Sequence, residues 1–183
     1  TSNEKDFFEL LKISRGSDVR IVVNHTRRFD HKHQKIKDLI KANKFGKLIS
    51  CEASYYGGWV HNGVHVIDTL HFLLNKNLFI NALHNTHKSK YIDDILVDLE
   101  IGIGSKNSQN KIMIKSYDES HYQILEFDMK FSKGRLRIEN FGNIFRYEKK
   151  IKNKLNENIL AADSISFSNK SLTAMENLLN FIC

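Results

Sequence analysis

The sequence has no proline, only two cysteines among 183 residues, and no long hydrophobic run. Two cysteines, Cys51 and Cys183, cannot build a disulfide framework, and they do not have metal-ligand spacing. Cys51 falls in an apolar strand pattern and is expected to be buried and inert. The longest apolar runs are broken by Asn, Lys or Asp and fall well short of the ~18 residues that span a bilayer. Nothing in the sequence accounts for the missing proline. The first residues, Thr1 to Asp6, are polar and mixed in charge, unlike a signal or transit peptide. Together these absences lead to the expectation of a cytoplasmic chain with no membrane partner. There is no Gly-x-Gly-x-x-Gly, no Walker loop and no nucleophile elbow, so the usual phosphate cradles and serine nucleophiles are excluded. Neither an internal repeat nor a low-complexity tract is visible.

What is there is the balance of a globular domain, with 41% hydrophobic and 27% charged residues. The net charge is +7, but the cations are spread along the chain with acids between them. The densest cluster, Lys149, Lys150, Lys152 and Lys154, carries no aromatic stacking pattern beyond Tyr147. It reads as a solvated face, and no nucleic-acid partner is expected.

A stripe of Phe7, Phe8, Leu10 and Leu11 after Ser2 or Asn3 predicts a capped helix, stopped at Arg15-Gly16-Ser17-Asp18. The β-branched run Val19 to His25 predicts a strand. A helix followed by a strand is the second half of a βαβ unit whose first strand would lie before Thr1. Phe29 to Asn43 predicts a helix, Leu48 to Tyr56 a strand, and Val64 to Leu74 a helix with Val64, Ile67, Leu70, His71 and Leu74 inward. From Leu78 the texture changes. Leu78 to His87, Leu96 to Ile103, Lys111 to Tyr117, Tyr122 to Phe131 and Arg135 to Glu139 read as strands of an antiparallel meander, with one more strand in Asn140 to Glu148. Lys149 to Lys170 reads as a long polar loop and Leu172 to Ile182 as a final helix. The fold class is α+β: a large, mostly antiparallel open sheet with helices on one face, preceded by a last helix and strand of a different domain. The uncovered face is expected to join copies of the chain.

Two segments could carry chemistry. In Tyr56 to Asp68, two histidines stand four residues apart at the entry to a helix. His61, His65 and Asp68 are expected to converge on one face, Asp68 orienting an imidazole. Asn62 could cap the helix or bind a ligand hydroxyl. His61 could equally be a surface residue and His65 a satisfied core residue. Asn62 stands where a zinc protease has Glu, and no third ligand is near, so no metal is expected. In Asn24 to Asp30, Arg27 and Arg28 stand at a strand end and could hold a phosphate or carboxylate. Alternatively, Asp30 caps the next helix and the arginines make surface ion pairs.

Together these segments resemble the glucose–fructose oxidoreductase and inositol dehydrogenase family (Gfo/Idh/MocA). The resemblance rests on Arg27-Arg28-Phe29 after a strand, the turn Phe45-Gly46-Lys47-Leu48-Ile49, and His61-Asn62-Gly63-Val64-His65-Val66-Ile67-Asp68, which is similar to the family's Asp-x-x-x-His-x-x-Asp. It runs from Thr1 to about Leu74 and is topological afterwards. It implies a nicotinamide-dependent enzyme acting on a sugar, nucleotide sugar or cyclitol hydroxyl. NAD or NADP would be bound mainly by an N-terminal Rossmann domain that this chain does not contain. Residues 1–25 would be the tail of that domain and residues 26–183 the substrate and oligomerisation domain. The family's catalytic histidine maps onto His65. His61 stands in place of the family's Asp, and an Asn-Gly-x-His variant fits Asn62 to His65. His61 and Asp68 would assist His65, Asn62, Trp59 and Tyr56 would meet substrate, and Arg27 and Arg28 the cofactor. The chain alone would be inactive. The alternative is a non-catalytic binding or dimerisation module on the same fold.

Overall fold

The computed structural model describes residues 3–19, 21–90, 93–106, 108–167 and 172–182. Among these, helix α1 spans Glu4–Arg15, α2 His31–Lys41, α3 Val64–Leu74 and α4 Ala174–Ile182. The strands are β1 Leu48–Tyr56, β2 Leu78–Lys88, β3 Ile95–Ile103, β4 Lys111–Tyr117, β5 Leu125–Phe131, β6 Gly134–Glu139, β7 Ile144–Lys152 and β8 Asn158–Asp163. They form one sheet in the order β2-β3-β4-β1-β5-β6-β7-β8. The expected α+β class therefore holds. The meander is interrupted, however: β1 enters between β4 and β5, parallel to β4 and antiparallel to β5.

The sheet buries one face. Cys51, Ala53 and Tyr55 of β1, Phe127 and Met129 of β5, and Leu136 and Ile138 of β6 alternate inward. Ile36 of α2 and Val66, Leu70 and Leu73 of α3 join them in one core. Tyr55 ties β1 to β3 within the sheet by hydroxyl contacts to both the amide (2.9 Å) and the carbonyl (3.0 Å) of Val97. Burial pushes the Cys51 thiol well above its ordinary pKa, so it packs as a small apolar group. Across β1, β5, β6 and β7 the opposite face alternates sign. Lys130 bridges Glu52 and Asp128, Arg135 clasps Asp128, and Arg137 lies between Glu139 and Glu148.

Three expectations are corrected. Val19 and Ile21 to His25 join no strand of the sheet, and Val19, Ile21 and Val23 are 61%, 46% and 63% exposed. The β-branched run has strand propensity, but no described strand pairs with it. The polar loop expected from Lys149 is instead a hairpin of β7 and β8, paired from Tyr147↔Asp163 to Lys152↔Asn158. In α3 the buried residues are Val66, Thr69, Leu70 and Leu73, while His71 is exposed. The apolar face is turned relative to the expected one, which leaves His65 and Asp68 half-buried at its margin. Cys183 lies outside the described residues. No helix among them is long and apolar enough to cross a membrane.

Candidate active site

Two short turns bring the site together. A single turn of 3₁₀-helix, Thr26–Arg28, leads into α2. Asp30 starts α2 by accepting a hydrogen bond from the His33 amide at 3.0 Å, so the capping role read from the sequence is realised. A π-helical turn, Trp59–Gly63, leads into α3. Helix α3 therefore continues from that turn, and Asn62 does not cap it; no side chain does.

The two segments meet. Arg28 donates from Nη2 and Nε to Asp68 at 2.6 and 2.9 Å. His25 Nδ1 lies 3.7 Å from the same carboxylate. The His25 ring stands edge-on to His65, with centroids 5.5 Å apart. Burial holds the His65 imidazole below its ordinary pKa, with Arg27 and His25 acting in the same direction and Asp68 against it. His65 is thus a half-buried, neutral imidazole near neutral pH, flanked by a carboxylate–guanidinium pair. The Asp68 bond, more than burial, keeps the Arg28 guanidinium above its ordinary pKa. Arg27 is different: burial lowers it, only partly offset by Asp30 and Asp68, and its Nη2 donates to the Phe141 carbonyl at 3.3 Å.

His61 sits elsewhere in the network. Its Nδ1 lies 2.8 Å from Oδ2 of Asp94 at the start of β3. Asp94 also accepts from the amides of Val60 (3.0 Å), His61 (3.1 Å) and Ile95 (2.8 Å). The close approach demands Gly58, since a Cβ there would overlap the Asp94 carboxylate. Burial alone would raise the Asp94 carboxyl, but these bonds outweigh it and hold it below the usual range. Trp59 packs edge-on to Tyr55 at 5.9 Å, at the border of the core. Tyr56 stands edge-on to Phe141 at 5.8 Å, next to the carbonyl that receives Arg27.

The geometry brings the two segments together at His65, Asp68 and Arg28 with Arg27 nearby, a meeting the sequence did not specify, and it places the His61 ring on Asp94 rather than in the expected convergence with His65 and Asp68. Sequence reasoning missed His25 and Asp94. His25 stands two residues before Arg27 in a segment already under suspicion. Asp94 lies 33 residues beyond His61, with no local signal.

No family model matches the sequence, and no curated protein matches it. The fold, by contrast, recurs in solved structures. The 3-ketoreductase KijD10 from Actinomadura kijaniata, in complex with TDP-benzene and NADP, superposes with a TM-score of 0.72 at 13% identity, covering 100% of this chain and 58% of that one. The dehydrogenase MviM from Clostridium difficile gives 0.65 at 15% identity over 100% and 58%. An aldose-aldose oxidoreductase from Caulobacter crescentus, complexed with glycerol, gives 0.68 at 10% identity over 92% and 54%. The fold they share with this chain is an α+β one built on a large open sheet. In particular, the chain has the fold of the C-terminal part of the Gfo/Idh/MocA oxidoreductases, and it spans little more than half the length of the structures it matches.

Proposed function

We propose that the chain is the substrate-side domain of an NAD(P)-dependent oxidoreductase acting on a hydroxyl of a sugar, nucleotide sugar or cyclitol. The observation that carries this is the neutral, half-buried His65 beside the Asp68–Arg28 pair. A neutral imidazole takes the proton of a substrate hydroxyl on oxidation and returns it on reduction. Nicotinamide, when bound, supplies the hydride acceptor or donor. In this reading Asp68 and Arg28 position His65, and Asn62, Tyr56 and Trp59 meet the substrate. Arg27, which makes no salt bridge among the described residues, suits an anionic group of cofactor or substrate.

Residues 1–25 are read as the end of a dinucleotide-binding domain. Helix α1 buries none of its residues, and Phe7, Phe8, Leu10 and Ile13 are all more than 40% exposed. Such a face needs a cover. The polar sheet face is read as a contact between copies, its alternating signs favouring a mate of the same sequence. A cytoplasmic setting completes this reading.

One observation favours a second reading, a binding or dimerisation module without catalysis. The position that carries Asp in the family holds His61, and its ring is engaged by Asp94. Fluorescence titration of reduced nicotinamide into the protein at its natural length decides between them. Binding followed by sugar-dependent turnover that is lost in His65→Ala supports the enzyme. Binding without turnover supports the module, and no binding overturns the oxidoreductase reading.

A further inference from the structure

The His61 ring ends on one buried carboxylate. The side chain of Asp94 is 1% exposed, yet four donors converge on it: the amides of Val60 (3.0 Å), His61 (3.1 Å) and Ile95 (2.8 Å), and Nδ1 of the His61 ring (2.8 Å). Burial opposes the charge, but the bonds prevail, so Asp94 stays a carboxylate. The His61 side chain is the opposite case, 51% exposed. An imidazole so open to water needs no protein partner to be satisfied. Its bond to a buried carboxylate therefore matters for what it does to the ring.

A carboxylate only accepts hydrogen bonds. The nitrogen that meets it must donate, so in the neutral ring the proton sits on Nδ1 and the lone pair on Nε2. The backbone is built for this meeting. The turn Trp59–Gly63 is π-helical, with the Gly63 amide donating to the Gly58 carbonyl at 3.3 Å, and such turns recur at functional sites. Gly58 has no Cβ, and one would overlap the Asp94 carboxylate. The turn runs directly into α3, so His61 and His65 stand four residues apart on one helical stretch. Their rings part, however: His61 meets Asp94 beside β3, and His65 meets His25.

We infer that Asp94 is a positioning residue, which fixes the proton of His61 on Nδ1 and makes Nε2 a hydrogen-bond acceptor for a hydroxyl group of the ligand. The inference rests on the oxidoreductase reading, which supplies a ligand with several hydroxyl groups. One hydroxyl goes to His65 for the reaction, and a second goes to His61 for alignment. The engagement of His61 by Asp94 then orients the ring rather than idling it.

Histidine-¹⁵N NMR of the protein at its natural length reads the tautomer. In the neutral ring His61 should carry its proton on Nδ1, and Asp94→Asn should move it to Nε2. Oδ1 of Asp94 serves the amides of Val60 and Ile95, and Oδ2 only that of His61, so the Asn nitrogen takes the place of Oδ2 and donates to the ring. With nicotinamide and a panel of glucose, myo-inositol and UDP-glucose, Asp94→Asn should lower kcat/KM about 10²-fold or more. In a His61→Gln background the same change should cost less than about twofold, because the two residues act as a unit. A proton on Nε2 in the unaltered protein overturns the inference, as does a tautomer that Asp94→Asn leaves unchanged. So does a full loss in the His61→Gln background, which would make Asp94 a support of the loop alone. If Asp94→Asn does not fold, the response of His61 Nε2 to the same panel in the unaltered protein decides: a saturable shift supports the inference, and no shift overturns it. Absence of nicotinamide binding sinks the oxidoreductase reading without touching the tautomer, so the two failures are distinct.

Discussion

Arg28 clasps Asp68 across 40 positions of sequence, with Nη2 at 2.6 Å and Nε at 2.9 Å from the same Oδ1. Asp68 is 10% exposed and Arg28 40%, so the carboxylate is the member that cannot return to water. Removing Arg28 as Leu should destabilise the fold by about 2 kcal/mol, reduced from the fully buried case by the solvent already around the guanidinium. Asp68→Asn, which keeps one acceptor, should cost less, and the double variant less than the sum. The urea midpoint at unchanged slope measures each.

Asp94 holds the loop that carries His61 through the amides of Val60 and His61 and one ring nitrogen. Asp94→Ala leaves those donors unmet and should cost roughly 2–3 kcal/mol. Amide exchange at Val60 and His61 should quicken more than at α3. A uniform increase across the sheet would instead mean that Asp94 supports the whole fold.

Asp98 provides an acid limb. Burial would raise its carboxyl, but bonds from the Ser116 amide, Lys115, Asn85 and the Ser116 hydroxyl outweigh that and hold it down to about 2. A depressed carboxylate contributes stability that is complete above its unfolded value, near 3.8, and is lost as pH falls toward 2. The contribution is about 2 kcal/mol at neutral pH by linkage. Asp98→Asn should therefore flatten the stability profile between those two pH values, as read by denaturation at stepped pH.

His65 should titrate below the ordinary histidine value of 6.5 when its ring proton is followed by NMR. Burial is the first cause and stays in any conservative variant. Arg27→Gln should raise the titration, and His25→Asn should raise it less, following the order of their effects. In the enzyme reading, the acid limb of kcat/KM should move the same way. His65→Ala should lower kcat by about 10²–10⁴.

Local signals carried the elements that satisfy themselves within a few residues. Leu48 to Tyr56 and Val64 to Leu74 match β1 and α3 to the residue, because alternation and helical spacing act at short range. The Val19 to His25 run shows the limit, since propensity cannot provide a partner. Lys149, Lys150 and Lys152 concealed the second half of β7 and with it β8, because an edge hairpin with two wet faces needs no hydrophobic alternation. The same division applies to the site. His65, Asp68, Arg27 and Arg28 were legible as two short motifs. Asp94 was not, because its tie to His61 exists only once β3 lies beside the π-helical turn. The insertion of β1 between β4 and β5 was equally hidden, for pairings such as Ser50↔Lys111 leave no trace in either segment.

That insertion sets an order of assembly. The first strand of this sheet in sequence order, β1, lies in the middle of the finished sheet. During synthesis β1 emerges with neither neighbour available, and its second edge closes only when residues as late as Phe131 have left the ribosome. Until then Cys51, Ala53 and Tyr55 have half a core at most, so the chain presents a bare central strand to any chaperone, or to any other nascent copy, while the residues from Gly57 to Phe131 are made.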